Sequence, residues 1–168
     1  MKKKFLIITI IILIIFAVDF FLFSLLSNKK TIEEPIKPEG KIVLKAFFNN
    51  NNLDPEISCN KVFSVEREVI KTQAVARAAL EELLKGPTEE EKSQGFFTSI
   101  NPGVKIQSLV VDNGIARVDF DEQLEFQMGG SCRVSAIRAQ IEETLKQFPT
   151  VNSVIISVND RTEDILQP

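Results

Sequence analysis

The chain has 168 residues, a formal net charge of −3 and two cysteines, and it contains no histidine, tyrosine or tryptophan. An acidic chain repels nucleic acid, anionic lipid headgroups and anionic wall polymers unless a local basic patch intervenes, and the sequence has no such patch. Without histidine it also lacks the commonest general base and the commonest zinc ligand.

Hydrophobicity is concentrated at the N-terminus. From Phe5 to Leu26 the sequence is apolar, with one ionisable residue, Asp19. A run of about 22 residues spans ~33 Å as a helix, enough for the hydrocarbon core of a bilayer. Lys2, Lys3 and Lys4 also resemble the basic region of a secretory signal. Such a signal has a shorter apolar stretch and a small-x-small cleavage site, whereas this run ends in Leu25-Leu26-Ser27-Asn28. No cysteine follows it to accept a lipid. Residues 1–27 are therefore expected to form a retained transmembrane anchor. The denser lysine cluster before the run places the N-terminus in the cytoplasm and the rest of the chain outside it. Asp19 is relieved by headgroup water or protonation, or it hydrogen-bonds a second transmembrane helix.

Residues 28–40 are polar, carry two prolines and show no apolar period, which marks a linker. The folded domain is expected over residues 41–168. Ile42 to Phe48 is rich in strand formers, and Val62 to Val69 alternates as a short strand or extended arm. Thr72 to Lys85 repeats apolar residues at helical spacing, with Thr72 as its cap, Gly86 at the left-handed position beyond its end and Pro87 forbidding continuation. Thr88 and Glu91 have capping-box spacing, so a second, short helix begins there, and Phe96 and Phe97 tuck this excursion onto the core.

Asn113-Gly114 between two strand-like runs indicates a type I′ hairpin. That turn pairs Asp112 with Ile115, so that Leu109 and Val111 share a face with Ala116, Val118 and Phe120 while Arg117 and Asp119 point away. After Gly129-Gly130, a long helix buries Val134, Ile137, Ile141 and Leu145 and stops before Pro149. Ser153 to Val158 is a last strand, turned by Asn159-Asp160 into a polar tail. The order predicts an α/β (α+β) two-layer sandwich, with both main helices on one face of a small sheet that includes the hairpin.

Four constellations carry potential chemistry. Cys59 and Cys132, in a domain placed outside the cytoplasm, point to one disulfide; two separate buried thiols are the alternative. Asp112, Asp119, Asp121, Glu122 and Glu125 read as a cation site or, since their order matches no calcium loop, as solvated carboxylates on an outward edge. Ser131 follows two glycines as a nucleophile would, but it lacks both the Gly-x-Ser-x-Gly pattern and a histidine base. Gly129-Gly130 instead suits a sharp helix start, which with Arg133 could hold a small anion. Arg77, Arg133, Arg138 and Arg161 are candidates for partner contacts or for pairing with glutamates. No catalytic, metal or cofactor site is assigned.

The stretches LEELLKGPTEEE (Leu80–Glu91), INPG (Ile100–Gly103), GIARVDF (Gly114–Phe120) and GGSCRVSAIRAQIEETL (Gly129–Leu145) resemble the GerMN domain of bacterial sporulation and germination proteins. The resemblance covers residues 41–168 and implies a fold similar to the ring-building motifs of secretion and sporulation channels. It also implies extracytoplasmic scaffolding instead of catalysis. The expected partners are envelope proteins or a second copy of the chain, with the membrane contacted through the N-terminal helix. An extracytoplasmic binding domain for a small anion or cell-wall fragment, using Gly129–Arg133, is the alternative.

Overall fold

The computed structural model of the protein describes residues 20–21, 40–56 and 58–167. The chain divides into two units, Met1–Pro38 and Glu39–Pro168. In the first, Phe20 and Phe21 are helical and exposed. The rest of the expected anchor, Asp19 included, lies outside the described residues, as do residues 28–39 of the linker. Among the described residues no helix is long and apolar enough to cross a membrane.

The second unit holds strands β1 (Lys41–Asn50) and β2 (Phe63–Ile70), helices α1 (Val75–Leu84) and α2 (Glu89–Ser93), and the short strand β3 (Phe96–Phe97). Strands β4 (Ile106–Asp112) and β5 (Ile115–Phe120), a 3-10 turn (Glu122–Leu124), helix α3 (Ser131–Lys146) and strand β6 (Ser153–Val158) follow. The α/β arrangement is as expected, but the strands form two three-stranded sheets, β2-β1-β3 and β4-β5-β6, where one small sheet was expected. All pairings are antiparallel except β5 with β6. Both α1 and α3 pack on β1, and α3 also packs on β6.

The division has a local cause. Before β3 pairs with it at Asn49 and Asn50, the far edge of β1 meets side chains of the α3 end instead of a strand. The Lys45 N–H donates to Gln147 Oε1 at 2.9 Å, Gln147 Nε2 donates back to the Lys45 carbonyl at 2.7 Å, and the Phe47 N–H donates to Thr144 Oγ1 at 3.1 Å. A side-chain amide thus copies the donor and acceptor of a neighbouring strand, satisfying groups that would be costly to leave unpaired.

The hairpin has the expected register, with Asp112 opposite Ile115 and Leu109 opposite Val118. Asn113 and Gly114 both take positive φ, 49° and 80°, as a type I′ turn requires. A Cβ on Gly114 would sit 2.5 Å from Asn152 Nδ2, because the Gly114 carbonyl also accepts from the Asn152 and Ser153 N–H groups and so starts β6. The pairing shifts between Ile106 and Ser108. That bulge brings Ile106, an odd number of residues from Leu109, opposite buried Phe120.

Helix α1 starts at Val75, three residues later than expected. Thr72 Oγ1 accepts from the Ala74 N–H instead of capping a helix, and this turn holds the chain out of helical geometry. Gly86 takes φ +77° beyond the helix end, and Thr88 and Glu91 form both bonds of the capping box. The tail is not wholly polar. Ile165 and Leu166 are buried, and Arg138 Nη2 donates to the Ile165 carbonyl. One core joins both sheets and the helices through Phe48, Leu80, Leu83, Phe120, Ile137, Ile141 and Leu145.

Candidate functional site

A cleft of about 300 Å³ opens between the β1–β2 loop and the start of α3, with Asn49, Asp54, Cys59, Phe97, Cys132 and Arg133 on its walls. Cys59 and Cys132 are joined across it, with their Cα atoms 4.9 Å apart. Behind them runs a buried polar chain. Asn49 Nδ2 donates to the carbonyls of Cys59 (3.2 Å) and Lys61 (3.0 Å). Gln140, fully buried in α3, donates to Asn49 Oδ1 at 2.6 Å and accepts from Thr98 Oγ1 at 2.8 Å. Thr98 Oγ1 in turn accepts the Ile100 N–H. Asp54, also buried, accepts from the Ser58 N–H (2.7 Å) and hydroxyl (3.1 Å). These bonds shape the β1–β2 loop.

Gly130 caps α3 at φ +87° with no side-chain cap bond, and the first turn of the helix has no acidic residue. Its positive end is therefore not offset from within the turn. Arg133 reaches only neutral oxygens: Nη2 donates to Asn101 Oδ1 at 2.6 Å, Nε to the Ser99 carbonyl at 3.3 Å and Nη1 to the Gln127 carbonyl at 3.4 Å. The guanidinium staples the loops on either side of the helix start. Ser131 is exposed as the first residue of α3.

The five acidic residues do not converge. Asp119 departs from the solvated reading: it is 5% exposed and accepts from Ser157 Oγ (2.6 Å) and the Asp160 N–H (2.8 Å). The returning Asn159-Asp160 turn covers it. Asp121 accepts the Lys105 N–H, Glu125 pairs with Arg161, and Asp112 accepts from Asn113 Nδ2. Glu122 is held below the usual carboxylate range by its own backbone N–H and by Asn159. Among the described residues no group of three metal-capable side chains gathers.

The other singled-out arginines serve the fold. Arg77 pairs with Glu81 and donates to the Ile106 carbonyl, while Arg138 and Arg161 make the bonds given above. Sequence reasoning passed over two arginines as candidates, the exposed Arg117 and the half-buried Arg67. Arg67 lies on the inward side of β2, opposite buried Leu44, and binds Glu91 through two hydrogen bonds of 2.5 and 2.7 Å. Its guanidinium carbon is 5.8 Å from the Phe48 ring centroid. The Arg67 hydrogen bond holds the Glu91 carboxyl below its ordinary range, and burial works against it. The signal was parity: Phe63, Val65, Arg67 and Val69 alternate with Ser64, Glu66 and Glu68.

Away from the Asn159-Asp160 turn, the outer face of the second sheet is open. Val110 of β4, Arg117 of β5 and Ile155 of β6 are direct neighbours in one row across it. Val110 is 57% and Ile155 38% exposed, and Arg117 is exposed between them.

A family model described as Germane, sporulation and spore germination, matches residues 45–164. No curated protein matches the chain in sequence. Two solved structures from Bacillus subtilis are similar. The first GerMN domain of the sporulation protein GerM is 19% identical over 72% of this chain and 85% of its own, with a TM-score of 0.53. The tandem GerMN domains of the same protein are 20% identical over 80% of this chain and 44% of their own, with a TM-score of 0.54. At these identities the likeness is one of fold.

Proposed function

The chain belongs to the Germane family of sporulation and spore germination, and on that premise we propose that its folded unit is a non-enzymatic protein-interaction module of the bacterial cell envelope. The N-terminal apolar run holds it at the membrane with the folded unit outside the cytoplasm, and its partner is an envelope protein or a second copy. The observation that carries this reading is the open Val110–Arg117–Ile155 row. Two exposed apolar side chains flank an arginine on one sheet face, a combination suited to a protein surface. The Cys59–Cys132 bond suits an oxidising compartment. The non-enzymatic part is supported by the missing histidine and by acidic residues that each have a separate structural partner.

Site-specific photo-crosslinking in native membranes tests the proposal. A photoreactive residue at Val110 or Ile155 should give a discrete adduct, and one at exposed Glu89 should not. Equal adduct patterns from all three positions would count against the face. Small-anion binding at Gly129–Arg133 is the second reading, favoured by the α3 start without a side-chain cap. Phosphate-induced chemical-shift changes at Ser131 and Arg133 would support it.

A further inference from the structure

The walls of the disulfide cleft combine two features that a buried crosslink lacks. Cys132 is the second residue of α3 and is exposed. The helix start around it has no side-chain cap and no acidic residue in its first turn. A thiolate at this place receives the positive end of a sixteen-residue helix. The charged groups facing it are Arg133, whose hydrogen bonds go to neutral oxygens, and Asp54, whose carboxylate is taken up by Ser58 and stands 3.7 Å from Lys61 Nζ.

The second feature is that Cys59 is positioned without the sulfur bond. Asn49 grips the Cys59 and Lys61 carbonyls, and buried Gln140 fixes Asn49 from behind. The Asp54 N–H donates to the Asn50 carbonyl and the Lys61 N–H to the Ser58 carbonyl, closing the loop on itself. Breaking the disulfide leaves all these bonds in place. None of them involves a sulfur atom, so the Cys59 side of the cleft is held by bonds that reduction does not remove.

We infer that Cys59–Cys132 is a reversible thiol–disulfide exchange site whose reaction partner is a dithiol, with Cys132 as leaving group and Cys59 as the sulfur attacked. A thiolate of the dithiol attacks Cys59 Sγ. The Cys59–Cys132 bond breaks, and its electron pair departs on Cys132 Sγ as a thiolate at the start of α3. The second thiolate of the dithiol then attacks its own sulfur in the mixed disulfide and releases Cys59. The dithiol is oxidised to a disulfide, Cys59 and Cys132 take up two electrons, and the two protons lost by the dithiol are matched by two gained here. Departure of the better-stabilised thiolate sets which sulfur is attacked. Reduction removes the covalent link between the β1–β2 loop and α3 at the mouth of the cleft. The inference rests on this cleft and not on the open sheet face, so either can fail without the other.

The test uses the full chain in detergent, reduced with dithiothreitol and freed of excess reductant. Iodoacetamide alkylation followed by peptide mass spectrometry gives the rate at each cysteine as a function of pH. At pH 7 Cys132 should react about tenfold faster than Cys59 and hold its rate to lower pH. Reduced and oxidised chains should give the same near-native amide spectrum away from the cleft, and the reduced Cys132→Ser chain given oxidised glutathione should form a stable mixed disulfide at Cys59, releasing one reduced glutathione. Equal or reversed alkylation rates would overturn the inference, as would global loss of the spectrum on reduction or no mixed disulfide at Cys59.

Discussion

Gln140→Leu replaces a fully buried amide with an apolar side chain of similar size. In the parent, Gln140 donates to Asn49 Oδ1 and accepts from the Thr98 hydroxyl. The variant leaves both without those partners, although Asn49 keeps its donor bonds to the Cys59 and Lys61 carbonyls and Thr98 keeps the Ile100 N–H. The buried Asn49 oxygen left without a donor costs ~1–3 kcal/mol, the half-buried Thr98 hydroxyl costs about 1 kcal/mol, and the extra carbons of leucine return ~1.5 kcal/mol, so the net loss is about 1.5 kcal/mol. Urea unfolding at pH 7 should show a lower midpoint with an unchanged slope, and melting should fall by about 6 °C, at roughly 4 °C per kcal/mol for a domain of this size. Thr98→Val added to Gln140→Leu removes one of the two orphans. The double variant should therefore lose less than the sum of the two single losses. A neutral or stabilising Gln140→Leu would refute the claim that this chain of hydrogen bonds organises the cleft.

Three more outcomes follow from particular contacts. Replacing Cys59 and Cys132 together by serine releases a loop with a sequence separation of 73, for which loop-closure entropy gives a loss of ~4.4 kcal/mol in urea unfolding; a loss under ~1 kcal/mol would place the constraint elsewhere. Glu91 has a folded-state pKa below its unfolded value, so its contribution is present above the unfolded carboxylate range and is lost as pH falls through the folded value. Glu91→Gln, which keeps a capping side chain, should flatten the acid limb of the stability curve, and an unchanged limb would contradict the pairing with Arg67. Intact mass of protein recovered from membranes should include Met1 to Leu26, whereas a species starting near Ser27 would show the apolar run to be a removable signal.

The parts of the fold that were legible in the sequence are those fixed by local chemistry. Asn113-Gly114 demands positive φ at two successive positions, and the flanking apolar pattern allowed one register. Thr88, Glu91, Gly86 and Pro87 likewise announce helix ends within a few residues. The sheet division was hidden because Thr144 and Gln147 act on β1 from 97 and 102 residues away, and nothing near them in sequence marks polar helix residues as strand substitutes. Asp119 has outward parity on β5, but the Asn159-Asp160 turn covers that end of the sheet. Ile165 and Leu166 were passed over because two apolar residues among polar ones carry no period. In the cleft, the two cysteines were visible and the Asn49–Gln140–Thr98 chain was not, since polar residues on a strand, a helix and a loop far apart in sequence meet only after the core forms.

Capture from native membranes with the Val110–Arg117–Ile155 face altered measures whether that face is the working surface. Val110→Asp with Ile155→Asp places two carboxylates outside the core, so circular dichroism should match the parent, with melting a few degrees lower because aspartate is a poor strand former. Chemical crosslinking of the parent should yield a discrete adduct with an envelope protein or a second copy, and the double variant should yield at least about tenfold less, as the loss of ~1.4 kcal/mol or more would give. An undiminished adduct from a folded double variant would contradict the account.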